Sequence, residues 1–256
     1  MDKEQFLAQF NKQGYVVLDQ ILAPAYIIEA KNQLIEAIAI ENEYHHSHAH
    51  KDSGMVLLCS LYHSVFTDLF DNHLMMTPFN TILGDGCIVY AYTSSSMPPH
   101  GSNYSNRIHV DCPRLIPNYI TNIGATILLD DFTEENGATW FLPQSHSQEA
   151  PPEEDFFYKN AKRVIAKAGS VFFFNARLWH AGGVNKTENW RHALTINMAR
   201  PWMKQRIDIP RAMSNMNLAH LSPEALQKLG FMAQVPSNYD EYYAPPEHRK
   251  FKQKTE

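Results

Sequence analysis

The chain has 256 residues, 44% of them hydrophobic, which suffices for one large unit with a sizeable core. Its 22 basic and 27 acidic residues give a formal charge of −5 without any run of lysines or arginines, which argues against nucleic acid as a partner. The charged start Met1-Asp2-Lys3-Glu4-Gln5 leads into no long apolar run, so no secretory leader and no membrane span are expected, and a soluble, cytoplasmic protein is. Cys59, Cys87 and Cys112 are an odd, widely spaced set, read as reduced thiols in or near the core rather than as a disulfide framework or a zinc knuckle.

Residues 3 to 13 predict a short amphipathic helix with Phe6, Leu7 and Phe10 on one face; Gly14 breaks it before the strand Tyr15-Val16-Val17-Leu18. Pro24 opens a second helix whose Ile27, Ile28, Leu34, Ile35 and Ile38 form a stripe to pack on a sheet. Four histidines fall in Tyr44-His45-His46-Ser47-His48-Ala49-His50, with neither an acid at helical spacing nor a thiol. They read as a solvated loop past a helix end, the alternative being a lid that carries Lys51. From Cys87 onward the texture changes to short β-branched and aromatic runs: Cys87 to Tyr92, Tyr119 to Leu129, Thr139 to Leu142, Val171 to Phe174 and Ala193 to Ala199. Asn136-Gly137 signals a hairpin turn between two of them, and Ala168-Gly169 a second turn.

The resulting expectation is a mainly β fold with flanking helices, a single unit over 1–256. Residues 1–85 would form a helical buttress with N-terminal strands, 86–202 the barrel core and 203–256 a C-terminal extension. That extension carries one predicted helix, Pro223 to Leu229 behind Leu221-Ser222. It would wrap the barrel, cover the mouth of the site or mediate a dimer; monomer and homodimer both stay open.

The chemistry concentrates at His109-Val110-Asp111. On a strand, side chains two apart project from the same face, a spacing that suits chelation of one ion. His180 follows the buried run Phe172-Phe173-Phe174, and Arg191 stands eleven residues beyond it. Two imidazoles and one carboxylate on one face of a metal leave the opposite positions open, as non-haem Fe(II) oxygenases require. A carboxylate at 111 argues for hydroxylation and against halogenation, which needs that coordination position for halide. A lone HxD pair is weak evidence; its weight comes from the pieces that follow in order.

Those pieces resemble the phytanoyl-CoA dioxygenase (PhyH-like) family of Fe(II)/2-oxoglutarate oxygenases. They are Phe10 to Leu18 with its Gly14-Tyr15, the HxD at 109–111, the segment Asp130 to His146, Gly169 to Phe174, His180, Asn185 and Arg191. The resemblance implies a double-stranded β-helix, a jelly-roll or cupin-like barrel, with iron held by His109, Asp111 and His180. It implies 2-oxoglutarate as cosubstrate, its far carboxylate paired bidentately with Arg191, and dioxygen, with succinate and carbon dioxide released as a small molecule is hydroxylated. Two departures stand out. The family often has Ser two residues after the distal His, where this chain has Gly182; Thr126, or less favourably Thr195, is the hydroxyl expected to substitute. Gln144 replaces a usual Gly before Ser145-His146, a motif read as structural, so His146 is not taken as a ligand.

The polar stretch Thr93 to Arg107 precedes the metal pair and reads either as a substrate-touching loop, with Asn106 and Arg107 as contacts, or as a flexible connector. Arg114 reads either as a holder of an acidic substrate group or as a surface salt-bridge residue, and Arg177 and Trp179 as packing at a strand end. Phytanoyl-CoA itself fits poorly, because no basic patch suits the CoA phosphates. The rival readings are a cupin-like metal enzyme without 2-oxoglutarate, a non-catalytic metabolite-binding barrel and, least, a zinc hydrolase lacking a positioned Glu base.

Overall fold

A computed structural model describes residues 2–47 and 54–249. The first helix, α1 (Lys3–Gln13), starts where the Asp2 carboxylate accepts the Gln5 amide at 2.9 Å. It stops at Gly14, whose φ of 82° only glycine adopts without strain. Strand β1 (Tyr15–Leu18) follows, then α2 (Pro24–Ser47), α3 (Ser64–Asp68) and α4 (His73–Leu83). Helix α2 continues through His45 and His46, so a helix end before the histidine cluster is corrected; His48, His50 and Lys51 lie outside the described residues.

Two antiparallel sheets carry the rest. The larger has strand order β1-β6-β3-β8-β2, with β2 (Ile88–Ser94), β3 (Asn122–Leu128), β6 (Val171–Asn175) and β8 (Ala193–Ala199). The smaller is β5-β4-β7, with β4 (Trp140–Phe141), β5 (Lys162–Arg163) and β7 (His180–Ala181); α5 (Glu154–Asn160) sits between β4 and β5 in the chain. Alternation sorts the large sheet's side chains: Ile123, Ala125, Ile127, Phe173, Ile196 and Met198 join Phe6, Phe10, Leu34 and Phe79 of the helices in the main core. The opposite face offers Leu128, Phe172, Phe174 and Ala193 to Phe141 of the small sheet, with Phe141 and Phe172 ring centroids 5.1 Å apart. The fold is therefore the expected double-stranded β-helix type with helices outside, built as two facing sheets rather than a closed barrel.

Three expectations change in detail. The turn at Asn136-Gly137 joins β3 to β4, strands of different sheets, so it is a crossover and not a hairpin. His109-Val110-Asp111 is no regular strand; only His109 forms a bridge, to His180. The stretch before it is no free connector, because Met97 bridges Arg191 and Gly101 bridges Asn185. The C-terminal part, with α6 (Ile209–Ala212), α7 (Pro223–Lys228) and α8 (Tyr239–Tyr242), packs along β2: Gln205 donates to the Val89 carbonyl at 2.8 Å and Gln227 to that of Cys87 at 3.1 Å. All three cysteines are buried and free, and among the described residues no helix is long and apolar enough to cross a membrane.

Candidate metal centre

His109 and His180 are locked opposite each other by reciprocal backbone bonds of 2.9 and 3.0 Å, which bring the rings to a centroid separation of 4.2 Å. Each imidazole uses the same local device. Nδ1 of His109 donates to the Arg107 carbonyl at 2.7 Å, and Nδ1 of His180 donates to the Leu178 carbonyl at 2.9 Å. A carbonyl can only accept, so Nδ1 carries the hydrogen and Nε2 presents its lone pair to the site. Asp111 Oδ1 lies 3.6 Å from one Nε2 and 3.7 Å from the other, and the three donor atoms all fall within 4.8 Å. Burial and the neighbouring imidazole push His109 down to about 4, so it is neutral near pH 7, the state a metal ligand needs. The donor set suits a divalent first-row ion.

Asp111 is oriented from behind. Its Oδ2 accepts from the Asn197 amide at 3.2 Å, Asn197 Oδ1 accepts from Asn122 at 2.8 Å, and Asn122 Oδ1 accepts the Thr121 hydroxyl at 2.8 Å. Both asparagines are buried, and each amide has a donor end and an acceptor end, so the row fixes one direction of hydrogen bonding. Sequence reasoning missed Asn197 and Asn122. The available signal was a polar side chain on the inward parity of an otherwise apolar strand, Ala193-Leu194-Thr195-Ile196-Asn197. Gly124 was also missed. A Cβ there would lie 2.2 Å from Phe174 Cζ, and the Phe174 ring leans on His180 at 5.0 Å.

Arg191 lies two residues before β8. It is 1% exposed, its Nη2 donates to Ser95 O at 3.0 Å and Nη1 to Gly137 O at 3.4 Å, and the guanidinium lies over the Phe132 ring at 4.1 Å. Nε has no partner, and among the described residues no carboxylate reaches ion-pair distance. Burial pushes this guanidinium down to about 9, and the charges of Asp130 and Tyr104 oppose that only in part.

The remaining candidates separate. Thr126 lies on the inner face in one cross-strand row, Thr93-Thr195-Thr126-Phe172. Asn106 and Arg107 are exposed beside His109; the Asn106 amide donates to Ser102 at 3.1 Å, and it is the backbone of Arg107 that serves the site. Arg114 borders a different cavity of about 390 Å³ with Phe10, Asn11 and His146. His146 bonds the Asn11 carbonyl at 3.2 Å and packs on Gly14, in keeping with a structural role. Arg177 is buried and bonds the carbonyls of Pro113 and Gln148, so it ties the strand end.

Facing antiparallel sheets with outer helices define a fold of the double-stranded β-helix class that carries a candidate His-Asp-His metal site. The sequence profile of the phytanoyl-CoA dioxygenase (PhyH) family matches residues 10–193, so the chain belongs to that family, whose members are dioxygenase-type enzymes. It is 28% identical over 257 residues to uncharacterized proteins of Mycobacterium tuberculosis and Mycobacterium bovis, covering 97% of this chain and 94% of theirs. It is 35% identical over 80 residues to the dioxygenase trt7 of Aspergillus terreus, covering 30% of this chain and 27% of that one. In fold it resembles the non-heme alpha-ketoglutarate-dependent epimerase SnoN of nogalamycin biosynthesis, with 18% identity, a TM-score of 0.62, and 78% of this chain and 83% of SnoN covered. It also resembles the non-heme monooxygenase ThoJ in its nickel complex, with 18% identity, a TM-score of 0.64, and 79% and 80% of the two chains covered.

Proposed function

We propose that this protein is an Fe(II)- and 2-oxoglutarate-dependent oxygenase that oxidises a small molecule, with release of succinate and carbon dioxide. The observation that carries the reading is Arg191, a fully buried guanidinium that forms no ion pair among the described residues and whose Nε has no hydrogen-bond partner, in a chain that also gathers the His-Asp-His cluster. An isolated buried charge is costly, so the site is preorganised for a dicarboxylate that reaches from the metal to the guanidinium. A cupin-like enzyme without 2-oxoglutarate, or a barrel that merely binds a metabolite, leaves that cost without purpose.

In this reading His109, Asp111 and His180 hold the iron, which supplies activation of dioxygen and of the cosubstrate's keto-acid end. The chain's own contribution is positional. The Asn122–Asn197 row holds Asp111, the Arg107 and Leu178 carbonyls hold the imidazoles, and Arg191 would pair with the far carboxylate. Thr126 contributes a hydroxyl from the inner wall, and the Phe172 and Phe174 rings keep that wall dry. Asn106 and Arg107, exposed beside His109, border the substrate's approach, whereas Arg114 lines a separate cavity. SnoN is an epimerase and ThoJ a monooxygenase, so placement of substrate in this fold decides among hydroxylation and other oxidations.

The test is succinate formation from 2-oxoglutarate under air with ferrous iron and ascorbate, comparing wild type with Asp111→Ala and Arg191→Ala. Slow turnover lost in both variants is expected, as is a weak visible charge-transfer band when anaerobic Fe(II) protein meets 2-oxoglutarate. Absence of both succinate and band in the wild type sinks the reading.

A further inference from the structure

We propose that Ser105 is a cosubstrate-positioning residue, its hydroxyl standing where a side chain at position 182 would stand and completing the carboxylate clamp headed by Arg191. The inference rests on the 2-oxoglutarate reading above. Gly182 follows the ligand His180 by two residues, yet it has no side chain to offer. A Cβ built on it would lie 2.4 Å from Ser105 Oγ and 2.7 Å from Met97 Cε, so that space already belongs to the loop laid across it. The backbone fixes the overlay: the Gly182 amide donates to the Ser105 carbonyl at 2.8 Å.

The hydroxyl is also held in place. Asn103 Oδ1 accepts both the Ser105 amide at 3.0 Å and its hydroxyl at 2.6 Å, while Asn103 Nδ2 donates to the Ser96 carbonyl at 3.0 Å. If the hydroxyl gives up this bond to donate to an incoming anion, Asn103 Oδ1 still accepts the Ser105 amide. Arg191 flanks the same two glycines. Met97 and Arg191 exchange backbone bonds of 2.8 and 3.1 Å, and Met97 Cε touches the position 182 volume. Arg191 Nη1 meets the Gly137 carbonyl, and Gly137 C lies 2.8 Å from the Cβ position of Gly183. The Gly182-Gly183 backbone thus links the segment that carries the Ser105 hydroxyl to those that hold the Arg191 guanidinium, and a carboxylate bound by both would accept from two donors.

The experiment titrates anaerobic Fe(II) protein with 2-oxoglutarate and, separately, with 2-oxobutanoate, which keeps the keto-acid end and lacks the far carboxylate. Each titration is read from the visible charge-transfer band. Ser105→Ala is expected to weaken 2-oxoglutarate about tenfold and leave 2-oxobutanoate unchanged. The exchange variant Ser105→Gly/Gly182→Ser, which returns the hydroxyl from the other chain segment, is expected to recover most of the loss. Equal loss for both ligands, no loss, or a selective loss in Thr126→Val with none in Ser105→Ala overturns the proposal. A wild type with no band for either ligand instead overturns the cosubstrate reading on which it rests.

Discussion

Asn197 donates to the Asp111 carboxylate at 3.2 Å from β8, while the two histidines converge on the other oxygen of the same group. One oxygen is thereby reserved for structure and one for the ion. Asn197→Ala frees the carboxylate to rotate and leaves the Asn122 amide without its acceptor, so metal affinity should fall about 10–100-fold with little change in fold. Asn197→Asp should be worse, because a second carboxylate faces Asp111. Titration with cobalt(II), followed by its visible spectrum, checks both; unchanged affinity in Asn197→Ala would dismiss the supporting row.

Arg191→Met separates stability from function. The apolar side chain fills similar volume over Phe132 without a buried unpaired charge. Unfolding of the metal-free protein should be unaffected or favoured less, by about 1 kcal/mol or more, while succinate formation and the thermal shift on adding 2-oxoglutarate with metal disappear. Chemical denaturation decides; a clear loss of stability would mean that the guanidinium is held for the fold.

Gly124 admits the Phe174 ring, which in turn leans on His180. Gly124→Ala forces that ring aside and should cost about 1–3 kcal/mol. Metal affinity should drop with it, whereas Ala125→Gly, on the helix-covered face of the same strand, should lower stability and spare metal binding. Parallel melts and metal titrations of the two variants distinguish site from scaffold.

His192 gives the apoprotein a dependence on pH that involves no metal ligand. Its Nδ1 meets Ser96 Oγ at 2.9 Å, its amide donates to Asp130 at 2.8 Å, and Trp190 stacks on it. Burial pushes it down to about 4; Asp130 opposes this, and Lys31 and Arg191 add to it. The unfolded chain takes up the proton near pH 6.5, the folded chain only near 4, so between these values the unfolded state binds more protons. Stability must therefore fall as pH drops from about 6.5 toward 4 and level off below. His192→Gln should remove on the order of 3 kcal/mol of that fall. Denaturant melts at stepped pH that show equal falls in both proteins would refute the assignment.

Much of this protein was legible in its residues because the signals are local. Helix α1 and β8 follow their sequence runs residue for residue, since apolar periodicity and a glycine stop act within a few positions. His109, Asp111, His180 and Arg191 were readable as an ordered set, each by residue type and spacing. Tertiary structure alone decided the rest. The turn at Gly137 reads as a hairpin until the partners of β3 and β4 are known, since pairing is set by contacts far along the chain. Asn197 faces Asp111 across 86 residues, and Ser105 fills the volume of Gly182 across 77, relations that no window of sequence contains. Sequence determined which chemical groups this chain possesses; the packing of one sheet on the other decided which of them meet, because close contact in a folded core excludes every alternative partner at once.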